Sequence, residues 1–223
     1  MKPLAFFLMC PLALSGCTSR QPDGENPPAA SAADTTVQTF VFECTQDFSF
    51  VARTETNRIW LFLPGNTIAL PRVRSASGEK YSADGHTFWN KGDEAMIETG
   101  TAEYTGCKNN RARAIWEHAK LNGVDFRAVG NEPGWYMEIS NRKAILLVTD
   151  YGQQTRQFTA KSIQSSPATR TTIYHAVNDE TRIEVVLEGS PCSDTMSGEA
   201  FPTTVSVSVE GDRHYSGCGK PLH

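Results

Sequence analysis

The sequence predicts an all-β protein in which two β-rich segments are separated by one short helix. Short apolar runs bounded by turn residues fill residues 37–108 and 123–223, whereas helical periodicity is confined to 109–122. Hydrophobic residues make up 39% of the 223 positions and charged residues 21%, which is enough apolar material for a packed core. The formal charge of −4 argues against a nucleic-acid partner, which would need a basic surface.

The first β segment is predicted to contain many short antiparallel strands. Asp84-Gly85 is a tight-hairpin signal between two of them. This density of strands within about 70 residues indicates either a small barrel or a sandwich. The candidate strands are Val37–Phe42, Phe48–Ala52, Ile59–Leu63, Thr67–Val73, His86–Trp89, Ala95–Glu98 and Ala102–Tyr104.

Residues 109–122 have the periodicity of a connector helix packed on one side. Asn110 is a candidate cap at its start, and Asn122-Gly123 provides an end signal. We expect Trp116 to pack into a core. The four apolar residues at the spacing i, i+3, i+4 and i+7 are Ala112, Ile115, Trp116 and Ala119.

The segment 123–223 is predicted to form a second antiparallel β domain that is not an obvious repeat of the first. Val205, Val207 and Val209 alternate with polar residues, which is typical of a half-exposed strand. The candidate strands are Asp125–Val129, Trp135–Ser140, Ala144–Thr149, Thr155–Lys161, Thr171–Val177, Arg182–Leu187 and Thr203–Val209.

The N-terminus has the pattern of a bacterial lipoprotein signal peptide. A positive Met1-Lys2 precedes a short apolar stretch that ends in Leu14-Ser15-Gly16-Cys17, which resembles a lipobox. We expect cleavage after residue 16 and acylation of Cys17, with palmitate among the acyl chains, because several chains anchor a protein firmly. The alternative is an ordinary signal peptide with an incidental cysteine. Thr18 in place of an aspartate favours the outer membrane, with the protein facing the periplasm.

Residues 17–36 are rich in Pro, Ala, Ser and Asp and are predicted to be a flexible tether. Cleavage of residues 1–16 removes Lys2, so that 20 basic and 25 acidic residues remain and the mature charge is −5. The tether would hold the folded part away from the membrane to which the lipid is attached.

Four cysteines remain after Cys10 leaves with the signal peptide and Cys17 takes lipid. An even count in an exported chain indicates disulfides, and three pairings are possible. The order of the segments favours Cys44–Cys107 and Cys192–Cys218. A zinc site formed by Cys192, Cys218, His214 and His223 is conceivable, but the spacings match no common zinc finger. We therefore predict no metal and no cofactor.

Four short motifs in the first segment, taken in order, are similar to the family of membrane-bound inhibitors of c-type lysozyme. The resemblance covers roughly Phe40 to Lys108, about a third of the chain, and has a cysteine at each end. The motifs are Phe42-Glu43-Cys44, Ser75-Ala76-Ser77-Gly78-Glu79-Lys80-Tyr81, Phe88-Trp89-Asn90-Lys91-Gly92-Asp93-Glu94-Ala95 and Tyr104-Thr105-Gly106-Cys107-Lys108.

The resemblance implies a small antiparallel β-barrel with one disulfide that inserts loops into the active-site cleft of lysozyme. It implies that an S-G-x-x-Y loop, here Ser77 to Tyr81, and the lysine of the F-W-x-K-G-D-E-A stretch enter the cleft. The lysozyme-binding residues are thereby predicted as Ser77, Gly78, Tyr81 and Lys91. Glu79, an acidic residue at a variable position of the loop, and the attached second domain depart from the family pattern.

The residue types suit this role independently of the resemblance. Lysozyme works with one protonated and one ionised carboxyl group, so a plug should offer a hydroxyl to one and a cation to the other. Ser77 and Lys91 are residues of these types, Gly78 allows a close approach, and an acidic inhibitor would attract a basic enzyme. The competing interpretation is that Ser77-Gly78 and Lys91-Gly92-Asp93 are ordinary turns.

The second segment resembles an uncharacterised domain of exported lipoproteins, which gives no activity. Its polar candidates are Glu132, Asp194 and His214, and residues 131–134 are predicted to form a turn. No nucleophile-elbow, zinc-protease, P-loop or dinucleotide motif occurs, so we predict that the chain is not an enzyme. The alternative functions are an envelope lipoprotein that binds a small ligand or glycan, and a structural envelope lipoprotein.

Overall fold

In the computed structural model, two closed eight-stranded β-barrels and one α-helix make up the described residues, which are 37–211 and 213–223. These residues belong to one compact unit. The predicted signal peptide 1–16, the tether 17–36 and the acylated Cys17 lie outside the described residues. The predicted all-β class with one short helix is confirmed.

The first barrel is an antiparallel meander in which each strand pairs with the next and the last strand returns to the first. Of the two architectures that the sequence allowed, the barrel is therefore correct and the sandwich is wrong. Phe42, Phe50 and Phe88 meet in its core. The strands are β1 (Thr39–Glu43), β2 (Ser49–Glu55), β3 (Arg58–Leu63), β4 (Asn66–Val73), β5 (Glu79–Ala83), β6 (His86–Lys91), β7 (Glu94–Thr99) and β8 (Ala102–Asn109).

The second barrel has the same neighbour-to-neighbour order, which the sequence did not reveal. It closes between β18 and β9, and the small β15–β16 pair lies in the long connection before β17. A 3-10 turn, Asp150–Gly152, joins β11 to β12. The strands are β9 (Val124–Asn131), β10 (Gly134–Ser140), β11 (Ala144–Thr149), β12 (Gln154–Ser166), β13 (Thr171–Val177), β14 (Arg182–Glu188), β15 (Cys192–Ser193), β16 (Ala200–Phe201), β17 (Thr203–Val209) and β18 (His214–Pro221).

The connector helix α1 (Arg111–Leu121) begins and ends at the predicted signals. The Asn110 side chain accepts a hydrogen bond from the Arg113 backbone N–H at 3.1 Å, and Gly123 follows the helix with φ +78°. The predicted buried face is partly wrong, because Ala112 and Ile115 are exposed whereas Ala114 and Ala119 are buried. The helix contacts β1 of one barrel and β9 of the other, so small residues are buried where a barrel wall comes close.

Trp116 packs against the second barrel, as its predicted core role requires, although it stays half-buried. Its ring centroid lies 5.2 Å from that of Phe201. The Lys220 ammonium lies 4.6 Å from the indole centroid, and the Arg127 guanidinium lies 5.7 Å from it. This ring–ring contact and the two cation–π contacts attach the middle of α1 to β16, β9 and β18.

His118 joins the helix to the first barrel as a neutral imidazole. Arg53 donates to Asn122 Oδ1 at 2.7 Å, which turns the amide Nδ2 of Asn122 toward His118 Nε2 at 2.8 Å. Nε2 therefore accepts, and Nδ1 carries the proton that faces Thr39 Oγ1 at 3.0 Å. Burial, together with the nearby Arg53 charge, lowers the pKa of His118 below its usual value.

We expect acidification to weaken the fold through His118. Because the pKa of His118 is lower in the folded than in the unfolded state, the unfolded chain binds the proton first as the pH falls below about 6.5. The free energy of unfolding should therefore fall between pH 7 and 5, and less steeply in His118→Gln. Urea unfolding at both pH values measures this, with His223→Gln at the C-terminus as the control. Equal slopes for His118→Gln and the parent would contradict the assignment.

The structure contains two disulfides, Cys44–Cys107 and Cys192–Cys218. Since the sulfurs of Cys192 and Cys218 are bonded to each other, they do not provide the thiolates that the alternative zinc site would need. Across residues 37–211 and 213–223, no group of three or more His, Cys, Asp or Glu residues is placed to hold a metal ion. Within the same ranges, no helix has the length and apolar character needed to cross a bilayer.

Candidate functional site

Two neighbouring loops of the first barrel bring the predicted residues Ser77, Gly78 and Lys91 together. Residues 74–78 connect β4 to β5, and a two-residue turn connects β6 to β7. Glu79 lies opposite Asn90 in the β5–β6 ladder, which places Gly78 beside Lys91. A Cβ atom added to Gly78 would lie 3.3 Å from Lys91 Cβ. The hydroxyl and the ammonium group thus project from adjacent points of the barrel.

Gly78 is required by the close approach of its loop to β6. Its φ is +65°, and an added Cβ would lie 2.3 Å from the backbone oxygen of Asn90. No real Cβ is tolerated at that distance, so any other residue would push the loop away from the strand. The tight contact keeps Ser77 close to the end of β6.

The Ser77 backbone is fixed while its side chain stays exposed. The Ser77 carbonyl oxygen accepts hydrogen bonds from Ser75 Oγ at 2.6 Å and from Trp89 Nε1 at 2.9 Å. In the part of the chain that the structure describes, the Ser77 hydroxyl has no hydrogen-bond partner. A hydroxyl held in this way can donate to, or accept from, a group on another molecule.

Lys91 is an exposed cation at the end of β6. It lies opposite Glu94 across the Gly92–Asp93 turn. Considering residues 37–211 and 213–223 alone, no carboxylate forms an ion pair with its ammonium group. Its ammonium group is therefore not held by an ion pair within the described residues.

The turn that follows Lys91 is held by Asn109 at the end of β8 and by Arg111 at the start of the helix. The Asp93 carbonyl oxygen accepts from the Asn109 backbone N–H at 2.8 Å, and Asp93 Oδ1 accepts from Asn109 Nδ2 at 3.1 Å. Arg111 donates Nε to Asp93 Oδ1 at 3.1 Å and pairs through Nη2 with Oδ2. Hydrogen bonds from Arg111 and Asn109 hold the pKa of Asp93 below its usual value. Sequence reasoning did not identify Arg111.

Glu79, the residue that departs from the family pattern, forms an ion pair with a cation of the same barrel. Its Oε1 lies 2.8 Å from Arg72 Nη2 on the neighbouring strand β4, and its Oε2 accepts from the Tyr81 hydroxyl at 3.3 Å. The acidic side chain therefore has a local cation and does not leave an isolated negative charge beside Ser77.

Tyr81, predicted among the contact residues, is a core residue in the structure, so almost none of its side chain is exposed to a partner. Only 2% of its surface is exposed, and its ring centroid lies 6.2 Å from that of Phe88. Burial first, and the Glu79 charge second, raise the pKa of Tyr81 to about 12. Because side chains alternate along β5, a tyrosine at this position points into the barrel and supports the loop from inside.

An open pocket of about 460 Å³ lies beside the Ser77 loop. Trp89 is one of its lining residues, and the Trp89 indole also donates to the Ser77 carbonyl oxygen. The lining residues are Arg74, Ser75, Ala76, Ser77, Lys80, Thr87, Trp89, Met96 and Glu98.

Two of the three polar candidates of the second barrel make local contacts, and the third is exposed. Asp194 accepts hydrogen bonds from the backbone N–H groups of Met196 and Ser197 at 3.1 and 2.6 Å, and hydrogen bonds from Ser197 lower its pKa. His214 Nδ1 lies 3.1 Å from Ser208 Oγ on the adjacent strand. Glu132 is exposed in the predicted turn between β9 and β10.

Comparison with known proteins finds similarity in the first barrel. The family model described as "Membrane-bound lysozyme-inhibitor of c-type lysozyme" matches residues 42–105. A protein of Yersinia enterocolitica (serotype O:8 / biotype 1B) named "Membrane-bound lysozyme inhibitor of C-type lysozyme" is 33% identical over 88 residues, which are 39% of this chain and 64% of the relative. No solved structure gives a significant match. The predicted resemblance is confirmed: residues 42–105, which end before α1, are similar to the membrane-bound inhibitors of c-type lysozyme.

Proposed function

We propose that this chain is a lipid-anchored envelope protein that inhibits c-type lysozyme with its first barrel. Ser77 and Lys91 enter the enzyme's cleft, where the hydroxyl binds one catalytic carboxyl and the ammonium group binds the other. The observation that carries the proposal is the exposed Lys91 ammonium group, which forms no ion pair in the described residues, beside the exposed Ser77 hydroxyl, within the segment similar to known inhibitors. Residues 37–108 form the inhibitory domain, and residues 123–223 form a separate domain beyond the helix.

The chemistry of the enzyme favours this pair of groups. Lysozyme holds one carboxyl group protonated and keeps the second ionised, so a neutral hydrogen-bonding group and a cation match them. In a water-excluded cleft, close charge pairs can contribute about 1.5–7 kcal/mol of coupling energy. C-type lysozymes are usually basic, and a mature charge of −5 would speed their encounter with the inhibitor.

The two loops are held in place by hydrogen bonds and packing in the free protein, which also supports the proposal. Two hydrogen bonds hold the Ser77 carbonyl, Gly78 lies against β6, and Asp93 is bound on the far side of Lys91. Loops that are ordered before binding lose less conformational entropy when they enter a cleft. The barrel therefore offers its two groups at little ordering cost.

Inhibition of a purified c-type lysozyme by the purified protein tests the proposal. Hydrolysis of peptidoglycan is followed as the protein is added, and calorimetry gives the stoichiometry and Kd. A lysozyme of another structural class is the control, and we expect it to stay active. If the c-type enzyme remains fully active and no binding heat is seen, the proposed function is wrong.

Ser77→Ala should weaken inhibition without changing stability. The variant removes a hydroxyl that has its partner only in the complex, so the loss should be about 1–3 kcal/mol, or roughly 5–150-fold in affinity. The inhibition constant and the melting temperature are measured together. Ser162→Ala, at an exposed serine of the second barrel, is the matched control. Unchanged inhibition by Ser77→Ala would remove this hydroxyl from the interface.

Cys17→Ser should release the protein from the membrane and leave uncleaved precursor. The Leu14–Cys17 motif motivates this expectation, because lipid attachment precedes cleavage at a lipobox. Membrane fractionation with immunoblotting detects both effects. Cys10→Ser, within the apolar stretch of the signal peptide, is the control and should be processed normally. Normal cleavage and membrane retention of Cys17→Ser would favour an ordinary signal peptide.

A further inference from the structure

We propose that Arg111, at the start of the connector helix, is a positioning residue that fixes the Lys91 hairpin for lysozyme binding. The inference rests on the proposed function and extends it beyond the segment that the family model matches, which ends at residue 105. It makes the helix, which packs on the second barrel, a support for the inhibitory loop.

Lys91 and the bound Asp93 are close together along the chain. Only Gly92 separates them, and Gly92 and Asp93 form the two-residue turn that joins Lys91 to Glu94. Asp93 is bound through its backbone carbonyl by Asn109 and through its carboxylate by Asn109 and Arg111. Fixing one of the two turn residues limits how far the end of β6, and with it Lys91, can move.

The start of the helix is itself fixed on the first barrel. Next to Arg111, Asn110 Nδ2 donates to Glu43 Oε1 at 3.0 Å, and Arg113 Nη1 pairs with the same oxygen at 2.7 Å. Arg113 thus reaches the end of β1, whereas Arg111 reaches the hairpin. Both pairs are exposed and both belong to the first turn of α1, so they differ mainly in the element that they hold.

The helix is also attached to the second barrel. Trp116 lies one to two turns after Arg111 and packs against Phe201 and Lys220. Phe201 pairs with Cys192 in the β15–β16 ladder, and Cys192 is bonded to Cys218 of the barrel wall. The guanidinium that holds Asp93 therefore extends from a helix packed on both barrels, and the second barrel contributes to the order of the Lys91 hairpin.

Arg111→Ala should weaken lysozyme inhibition about two- to fivefold, which is the range expected for one exposed ion pair. Arg113→Ala, the matched control, should change inhibition by less than that while shifting the melting temperature equally. In a Lys91→Ala background, Arg111→Ala should have no further effect, because its contribution passes through Lys91. An effect that persists in that background, or equal losses for Arg111→Ala and Arg113→Ala, would overturn the inference while leaving the proposed function intact.

Hydrogen exchange on the protein alone separates failure of the inference from failure of the proposed function. We expect Arg111→Ala to raise the exchange rate of the Asn109 amide, which donates to the Asp93 carbonyl oxygen, relative to the parent and to Arg113→Ala. Unchanged exchange would overturn the positioning role of Arg111 whether or not lysozyme is bound. If the parent protein fails to inhibit lysozyme, the proposed function is wrong, and the inference about lysozyme binding falls with it even if exchange at Asn109 responds.

Discussion

Lys91→Glu should abolish inhibition of c-type lysozyme, and Lys91→Ala should weaken it more than Ser77→Ala does. In the proposed complex the ammonium group of Lys91 faces an ionised carboxyl group inside the cleft. Removing the cation leaves that carboxylate buried without a counter-charge, which costs about 2–5 kcal/mol, or roughly 30- to several-thousand-fold in affinity. A glutamate adds direct repulsion between two carboxylates, so its effect is larger still.

The same substitutions should leave the folded inhibitor nearly unchanged. Lys91 is exposed and has no ion-pair partner within residues 37–211 and 213–223, so its replacement removes no contact of the core. Inhibition, binding and thermal unfolding are measured for each variant. Lys161→Glu, at an exposed lysine of the second barrel, makes the same change in net charge and controls for long-range attraction of the enzyme. Full inhibition by Lys91→Glu would remove this lysine from the mechanism.

The strands that the sequence predicts correctly are those with apolar alternation or strong turn signals, such as the Asp84-Gly85 hairpin. Strand β5 was missed because its five residues bury only Tyr81. Strand β18 was missed because Gly217 and Gly219 are poor strand formers. In the structure they are needed, since an added Cβ would lie 2.1 Å from Val129 O or 2.7 Å from Arg127 O.

Strand patterns alone did not predict closure of the barrels, because closure depends on pairing between distant strands. For the first barrel, the family resemblance implied it. In the first barrel, β1 meets β8 through only two residue pairs, Phe42 with Asn109 and Glu43 with Lys108. No local pattern records such a contact, so a barrel and a sandwich gave the same sequence signal. The buried face of α1 was mispredicted for a similar reason. Helical periodicity predicts one buried face, whereas the helix contacts a barrel on each of two sides.

The sequence predicts which residues form the candidate site, but it does not predict which residues hold them in place. The motifs located Ser77, Gly78 and Lys91, and the structure places these three side by side. The motif also included Tyr81, because a short motif does not tell which side of a strand its last residue faces. Arg111 was missed because it follows Asp93 by 18 positions and reaches it only through the direction in which the helix leaves β8.

Removing the Cys44–Cys107 disulfide should cost the first barrel about 2–5 kcal/mol of stability, the usual range for small exported domains. The bridge joins the end of β1 to β8, which is the seam that only two residue pairs close. It spans 63 positions, against 26 for Cys192–Cys218, so chain entropy predicts that the second bridge contributes about 0.8 kcal/mol less.

Urea unfolding of the Cys44→Ser/Cys107→Ser and Cys192→Ser/Cys218→Ser double variants measures both losses, with inhibition of lysozyme followed in parallel. We expect the first double variant to lose inhibition together with the fold of its barrel, because Ser77 and Lys91 are held only while β5, β6 and β7 are paired. The second double variant should still inhibit, since its bridge lies in the other barrel. Equal stability of the parent and the first variant would show that the β1–β8 seam closes without the covalent bond, and the barrel's core would then have to supply that stability alone.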